Sequence, residues 1–133
     1  MGKHELASLY RAYIECLNSR DWESLGCHVD EDVHYNGKRI GLTGYRSILE
    51  DDFRAIPDLS FNVELLISDP PHVASRLTFD CTPRGLLFGI PVNGRRVQFE
   101  ENVFYRFGDS RIQAVWSIID KDAITKQVSA AEQ

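Results

Sequence analysis

Residues Arg95 to Asp120 read RRVQFEENVFYRF-GDS-RIQAVWSIID. Two long runs rich in aromatic and β-branched residues flank Gly108-Asp109-Ser110, a turn composition. They predict a strand from Arg95 through Phe107, a turn, and a last strand from Arg111 to Ile119. Upstream the same composition recurs. Leu59 to Ser68 is rich in β-formers, and Asp69-Pro70-Pro71 turns the chain. His72 to Thr82 follows, with Val73, Leu77, Phe79 and Cys81 in alternation. A glycine-rich connection, Arg84 to Gly94, joins this run to the quoted one. The first half is different. Leu6, Leu9, Tyr10, Tyr13, Ile14 and Leu17 recur at three and four residues, which predicts a helix over Glu5 to Ser19. A short second helix is expected from Asp21 as N-cap. Val33-His34-Tyr35 is a short strand closed by Asn36-Gly37, a strong hairpin signal from which Lys38-Arg39-Ile40 returns. Thr43 opens a further helix through Tyr45, Ile48, Leu49, Phe53 and Ile56, stopped at Pro57. A short terminal helix is expected from Asp120 or Asp122. Helices first and long antiparallel strands after give an α+β domain, with helices packed on one face of a bent sheet.

The chain has 133 residues, which suits one domain, 1–133, with its own core. Its 43% hydrophobic content excludes disorder as the main state. The net charge of -5 comes with no basic run longer than Arg95-Arg96, which argues against a nucleic-acid partner. No apolar stretch approaches the ~18 residues of a membrane span. The segment Met1 to Glu5 has no apolar signal core, and Leu6 stands where a myristoylation site needs Ser or Thr. Cys16, Cys27 and Cys81 form no C-x-x-C pair. They read as reduced residues of a cytoplasmic protein.

On the last strand, a period of two puts Ile112, Ala114, Trp116, Ile118 and Asp120 on one face. If that face lines a cavity, Asp120 stands in poor solvent beside an indole and is a usable general acid/base. The competing reading puts Asp120 in water at the strand's end, capping the following helix. His34 is a donor, acceptor or titrating group in a short strand, or simply structural. No H-x-H, H-E-x-x-H or Cys/His cluster is present, so no metal is expected. No G-x-S-x-G, G-x-G-x-x-G or P-loop supports an elbow hydrolase, a dinucleotide enzyme or an NTPase. Arg76, in mid-strand, either pairs with a carboxylate across the sheet or holds a substrate oxyanion. Asn102 shares a face with Glu100, Phe104 and Arg106, and Tyr13 is either core or pocket wall.

Taken in order, several short motifs resemble those of the SnoaL-like polyketide cyclases, also called ester cyclases, of the NTF2-like superfamily. Ile56-Pro57-Asp58-Leu59 matches the turn after the family's third helix. Arg76 through Gly85 matches an arginine-bearing strand that runs into a G-T-H-T-G-like segment. Gly89-Ile90-Pro91-Val92-Asn93-Gly94 matches a G-x-P-x-x-G loop, and Trp116 to Asp120 matches a closing W-x-x-x-D. The resemblance runs from about Leu6 to Ile124. It implies a cone-like α+β barrel, in which a strongly curved, mostly antiparallel sheet packs on about three N-terminal helices and encloses an apolar pocket. It also implies Asp120 as acid/base, His34 as a pocket residue, and Trp116, Arg76, Tyr13, Asn102 and Ile118 as substrate contacts. Pro83 stands where the family has a histidine, and Ser110 where it has the glycine of a D-G turn.

The reading that follows is a cofactor-free enzyme. Asp120 takes a proton from carbon beside a carbonyl of a small hydrophobic compound, and His34 or Arg76 supports the enolate oxygen. The enolate then closes a ring in an aldol-type step or is reprotonated as in an isomerase. A non-catalytic binder of a lipophilic molecule needs the same cone and only the cavity. An interaction module needs neither. Apolar residues on both faces of the long strands predict a homodimer through the sheet.

Overall fold

The computed structural model describes residues 1–132. Helix α1 (Lys3–Asn18) buries Leu6, Tyr10, Tyr13, Ile14 and Leu17, the stripe set by its three- and four-residue spacing. Trp22–Cys27 forms a 3-10 helix, and the Asp21 side chain does not cap it. Strand β1 (Val29–Tyr35) and the two-residue β2 (Lys38–Arg39) form the expected hairpin. Its turn residues have positive φ, 49° at Asn36 and 85° at Gly37, the left-handed pair that an Asn-Gly hairpin turn requires. Helix α2 (Gly41–Ala55) starts two residues earlier than predicted and ends before Pro57, with Ile56 as its C-cap.

Strands β3 (Asn62–Asp69) and β4 (His72–Cys81) follow. The glycine-rich connection contains its own small hairpin, β5 (Leu86–Leu87) with β6 (Ile90–Pro91). Then come β7 (Val97–Gly108), β8 (Arg111–Ile119) and helix α3 (Lys121–Glu132). The main sheet has the order β2-β1-β8-β7-β4-β3. Every neighbouring pair is antiparallel except β1 with β8. That parallel pairing explains why β1 begins at Val29 and not at Val33. Asp30, Glu31 and Asp32 are poor strand formers, yet Val29 sits opposite Ile112, and the Ile112 amide donates to the His28 carbonyl at 2.8 Å. Helices α1 and α2 cover one face of the curled sheet. Helix α3 adds Ile124 and Val128 to the same core.

One residue decides which side of β8 faces that core. Arg106 pairs with Ala114, but Phe107 pairs with Ile112, so Gln113 is an extra residue in β8. A bulge of this kind moves every later side chain to the other face. Ile112 points inward before it; Val115, Ser117 and Ile119 do so after it, opposite the inward Tyr105, Val103 and Glu101. The predicted stripe of Ile112, Ala114, Trp116, Ile118 and Asp120 is therefore broken. Trp116 and Ile118 lie on the outer face, 41% and 72% exposed.

Candidate active site

Along β7, Val97, Phe99, Val103, Tyr105 and Phe107 are buried on the inner face. Glu101 belongs to the same alternation and is the one acid in it. On α2, Tyr45, Ile48, Leu49, Asp52, Phe53 and Ile56 follow helical spacing, and Asp52 is the one acid in that stripe. Helix and sheet bring the two acids to one interior space. A cavity of about 110 Å³ is walled by Tyr35, Ile48, Phe61, Phe79, Phe88, Phe99 and Ile119 and includes both Asp52 and Glu101. A smaller space of about 50 Å³ continues from it to Tyr13, Tyr45 and Tyr105, again with Asp52 and Glu101 in its wall.

The polar groups are placed by sequence-local devices. The Asn36 side-chain oxygen accepts from the Ser117 amide at 2.8 Å, and the Asn36 amide donates to the Val115 carbonyl at 2.8 Å. The hairpin turn is thereby fastened to β8, with Tyr35 and Ser117 side by side. Ser117 Oγ donates to Glu101 Oε2, and the Tyr35 hydroxyl is within hydrogen-bond reach of Ser117. Deeper in, Tyr13 and Tyr45 share a hydrogen bond of 2.6 Å between their hydroxyls, and Tyr10 donates to Tyr105 at 3.4 Å. A second support is the stack of Phe79 on Phe99, with Phe61 edge-on to the first and Phe88 edge-on to the second.

Burial sets the protonation of this site. Asp52 is pushed up to about 7, first by desolvation and then by the charge of Glu101. Desolvation also raises Glu101, and the Ser117 hydroxyl partly offsets that by favouring the ionised form. Burial keeps Tyr13, Tyr45 and Tyr105 protonated far above neutrality. The arrangement is thus an acid pair pushed apart in a mostly apolar space, with Asp52 the more readily protonated member.

Of the residues expected from the sequence, Tyr13 alone lies in this wall. Asp120 is exposed, and its Oδ1 accepts the Ala123 amide at 3.1 Å, which makes it the cap of α3. His34 is exposed and sits opposite Ala114 on the outer face, while its neighbour Tyr35 points inward. Arg76 donates through Nε to Asn102 Oδ1 at 3.0 Å and pairs with Glu100 at 3.4 Å, also on the outer face. Trp116 and Ile118 continue that face. The expectation that Asp120, His34, Trp116, Arg76, Asn102 and Ile118 line the enclosed pocket is corrected, and the Gln113 bulge is the reason on β8. The signal for Glu101 was present in the sequence. V-F-E-V-Y-F, read at every second residue from Val97, has a single carboxylate. Asp52 had the same signal at helical spacing.

Among the described residues, no helix is long and apolar enough to cross a membrane. The chain also has clear relatives. A structure of a SnoaL-like polyketide cyclase from Agrobacterium tumefaciens is 48% identical, covers 96% of this chain and 99% of its own, and superposes with a TM-score of 0.92. TsrD from Streptomyces laurentii (20% identity, 98% of each chain, TM-score 0.84) shares the fold. So does IdmH from Streptomyces antibioticus (20% identity, 93% of this chain and 98% of its own, TM-score 0.81). No curated protein matches the chain. The family profile of the SnoaL-like polyketide cyclases matches residues 7–128, nearly the whole length of the curled sheet and its helices, and the chain belongs to that family.

Proposed function

We propose that the protein is a cofactor-free acid/base enzyme acting on a small hydrophobic carbonyl compound, with Glu101 as base and Asp52 as acid. The observation that carries this reading is the pair of half-buried carboxyl groups in the wall of one apolar cavity, with Asp52 raised to about 7. Near neutral pH the favoured single-proton state has Asp52 protonated and Glu101 ionised. Glu101 then takes a proton from carbon beside the substrate carbonyl. The electron pair left on carbon delocalises onto the carbonyl oxygen, which accepts a hydrogen bond or the proton from Asp52. The enol carbon next attacks a second carbonyl of the same molecule, whose oxygen takes the proton held by Glu101 while the first carbonyl re-forms and returns its proton to Asp52, or the carbon takes the proton back from Glu101. Ser117 holds Glu101 by its Oε2 and so aims the other oxygen. Surrounding aromatic rings exclude water and strengthen each of these interactions.

The test is exchange of α-protons of simple ketones with deuterated solvent, followed by proton NMR. Wild type accelerates exchange. Glu101→Gln lowers the rate by about 10²–10⁴, the usual loss for a general base. Asp120→Asn, which alters the cap of α3 in a neighbouring groove outside the cavity wall, stays near wild type. Equal exchange by wild type and Glu101→Gln removes Glu101 from the mechanism, and a selective loss in Asp120→Asn returns the role to the family's W-x-x-x-D carboxylate. Binding of the ketone without any exchange favours a non-catalytic ligand carrier in the same cavity.

A further inference from the structure

We infer that the cavity selects an uncharged compound of one-ring size and excludes both anions and fused-ring systems. This rests on the reading of Glu101 and Asp52 as the working pair and names the substrate class they accept. Two observations carry it. The first is charge. Among the described residues, neither part of the cavity has a lysine, arginine or histidine in its wall, whereas both have Asp52 and Glu101. Lys121 lies over the Phe88 ring at 5.6 Å and is not part of the wall. An anionic substrate would enter low-dielectric surroundings beside a carboxylate, with no counter-charge to meet it. Substrates held through a phosphate or a carboxylate are disfavoured on that ground.

The second observation is size. A dry apolar cavity of about 150 Å³ takes a benzene-sized molecule. The main space here is about 110 Å³, and its extension toward the tyrosines is about 50 Å³. The wall is a chain of rings in contact, Phe61 to Phe79 to Phe99 to Phe88, with centroid separations of 5.4, 4.9 and 6.2 Å. Leu87 and Val92 are buried on either side of Phe88 and hold its hairpin down. Phe88, 40% exposed at the turn of that hairpin, is the outermost ring of the wall and the one that limits its width.

The experiment is a binding series read on the protein, independent of turnover. Methyl signals of Ile48 and Ile119, both in the wall, are followed by NMR with cyclohexanone, 4-oxocyclohexanecarboxylate, 2-tetralone and cyclohexylamine. Cyclohexanone shifts them saturably. The carboxylate and the bicycle bind at least about tenfold more weakly. Glu101→Gln narrows the ketone-to-carboxylate ratio, and Phe88→Ala admits 2-tetralone. Failure of cyclohexanone to bind overturns the inference. So does equal binding of the carboxylate or the bicycle, or a bicycle still excluded by Phe88→Ala. Tighter binding of the amine than of the ketone also overturns it and makes the acid pair a counter-ion for an ammonium ligand. Any of these results leaves the exchange assay with Glu101→Gln to judge the acid/base reading by itself.

Discussion

Asp52 concentrates a conflict between stability and chemistry. Its carboxyl is pushed up to about 7 in the folded protein from the ordinary value of 3.8, first by burial of the helix stripe that carries it and then by the charge of Glu101. The folded state therefore holds this proton more tightly than the unfolded chain does. The stabilisation is fully present below the ordinary carboxylate range and is lost as pH rises through 7. At pH 8 an ionised Asp52 strains the fold. Asp52→Asn keeps the shape without the charge, and we expect it to stabilise the protein by roughly 1–3 kcal/mol at pH 8. The gain should shrink toward zero near pH 4. Thermal melts of both proteins across that range check this, and a pH-independent difference would mean that Asp52 is not desolvated. The same substitution removes the acid of the proposed pair, so the stabler protein should be the poorer catalyst. Single acids within apolar patterns were the legible clue here. Asp120 drew attention instead because a motif ended on it, although the competing reading of a wet helix cap is the one the structure has.

At the scale of elements, most boundaries were legible, since turns and periodicity are written in local chemistry. Asn36-Gly37, Pro57 and Gly108-Asp109-Ser110 all end elements where expected. What local chemistry did not contain was the Gln113 bulge, because nothing about a glutamine marks a doubled position. Its steric complement lies across the turn. A side chain at Gly108 would collide with the Gln113 side-chain amide, which occupies the place of a Cβ, so the glycine and the bulge fit each other. Between them, Asp109 and Ser110 both adopt positive φ, 51° and 64°. Neither is glycine, and left-handed backbone costs an ordinary residue about 1 kcal/mol. Ser110→Gly should therefore raise stability by roughly 0.5–1 kcal/mol without touching the cavity. Chemical denaturation measures it. An unchanged or lower midpoint would show that Ser110 has a compensating partner.

For the molecule as a whole, the outer face of the sheet carries two cross-strand rows. Ile67, Ala74, Phe104 and Trp116 form one; Leu65, Arg76, Asn102 and Ile118 form the other. Five of these are large apolar side chains at least 41% exposed. A second copy of the chain is the occupant we expect, because a self-complementary patch closes with two-fold symmetry and leaves no apolar surface over. Light scattering should give twice the chain mass, and Phe104→Glu with Trp116→Glu should give a folded monomer. A wild-type monomer at micromolar concentration would overturn the expectation. Strand β1, finally, meets the sheet only through the parallel contact with β8. Tyr35 cannot be set beside Ser117, nor Glu101 held by it, until residue 117 has joined the fold. On a ribosome releasing the chain from its N-terminus, the edge of β1 that β8 will pair has no partner until the last strand emerges. The interval before closure is the period when this protein is most exposed to aggregation and to chaperones.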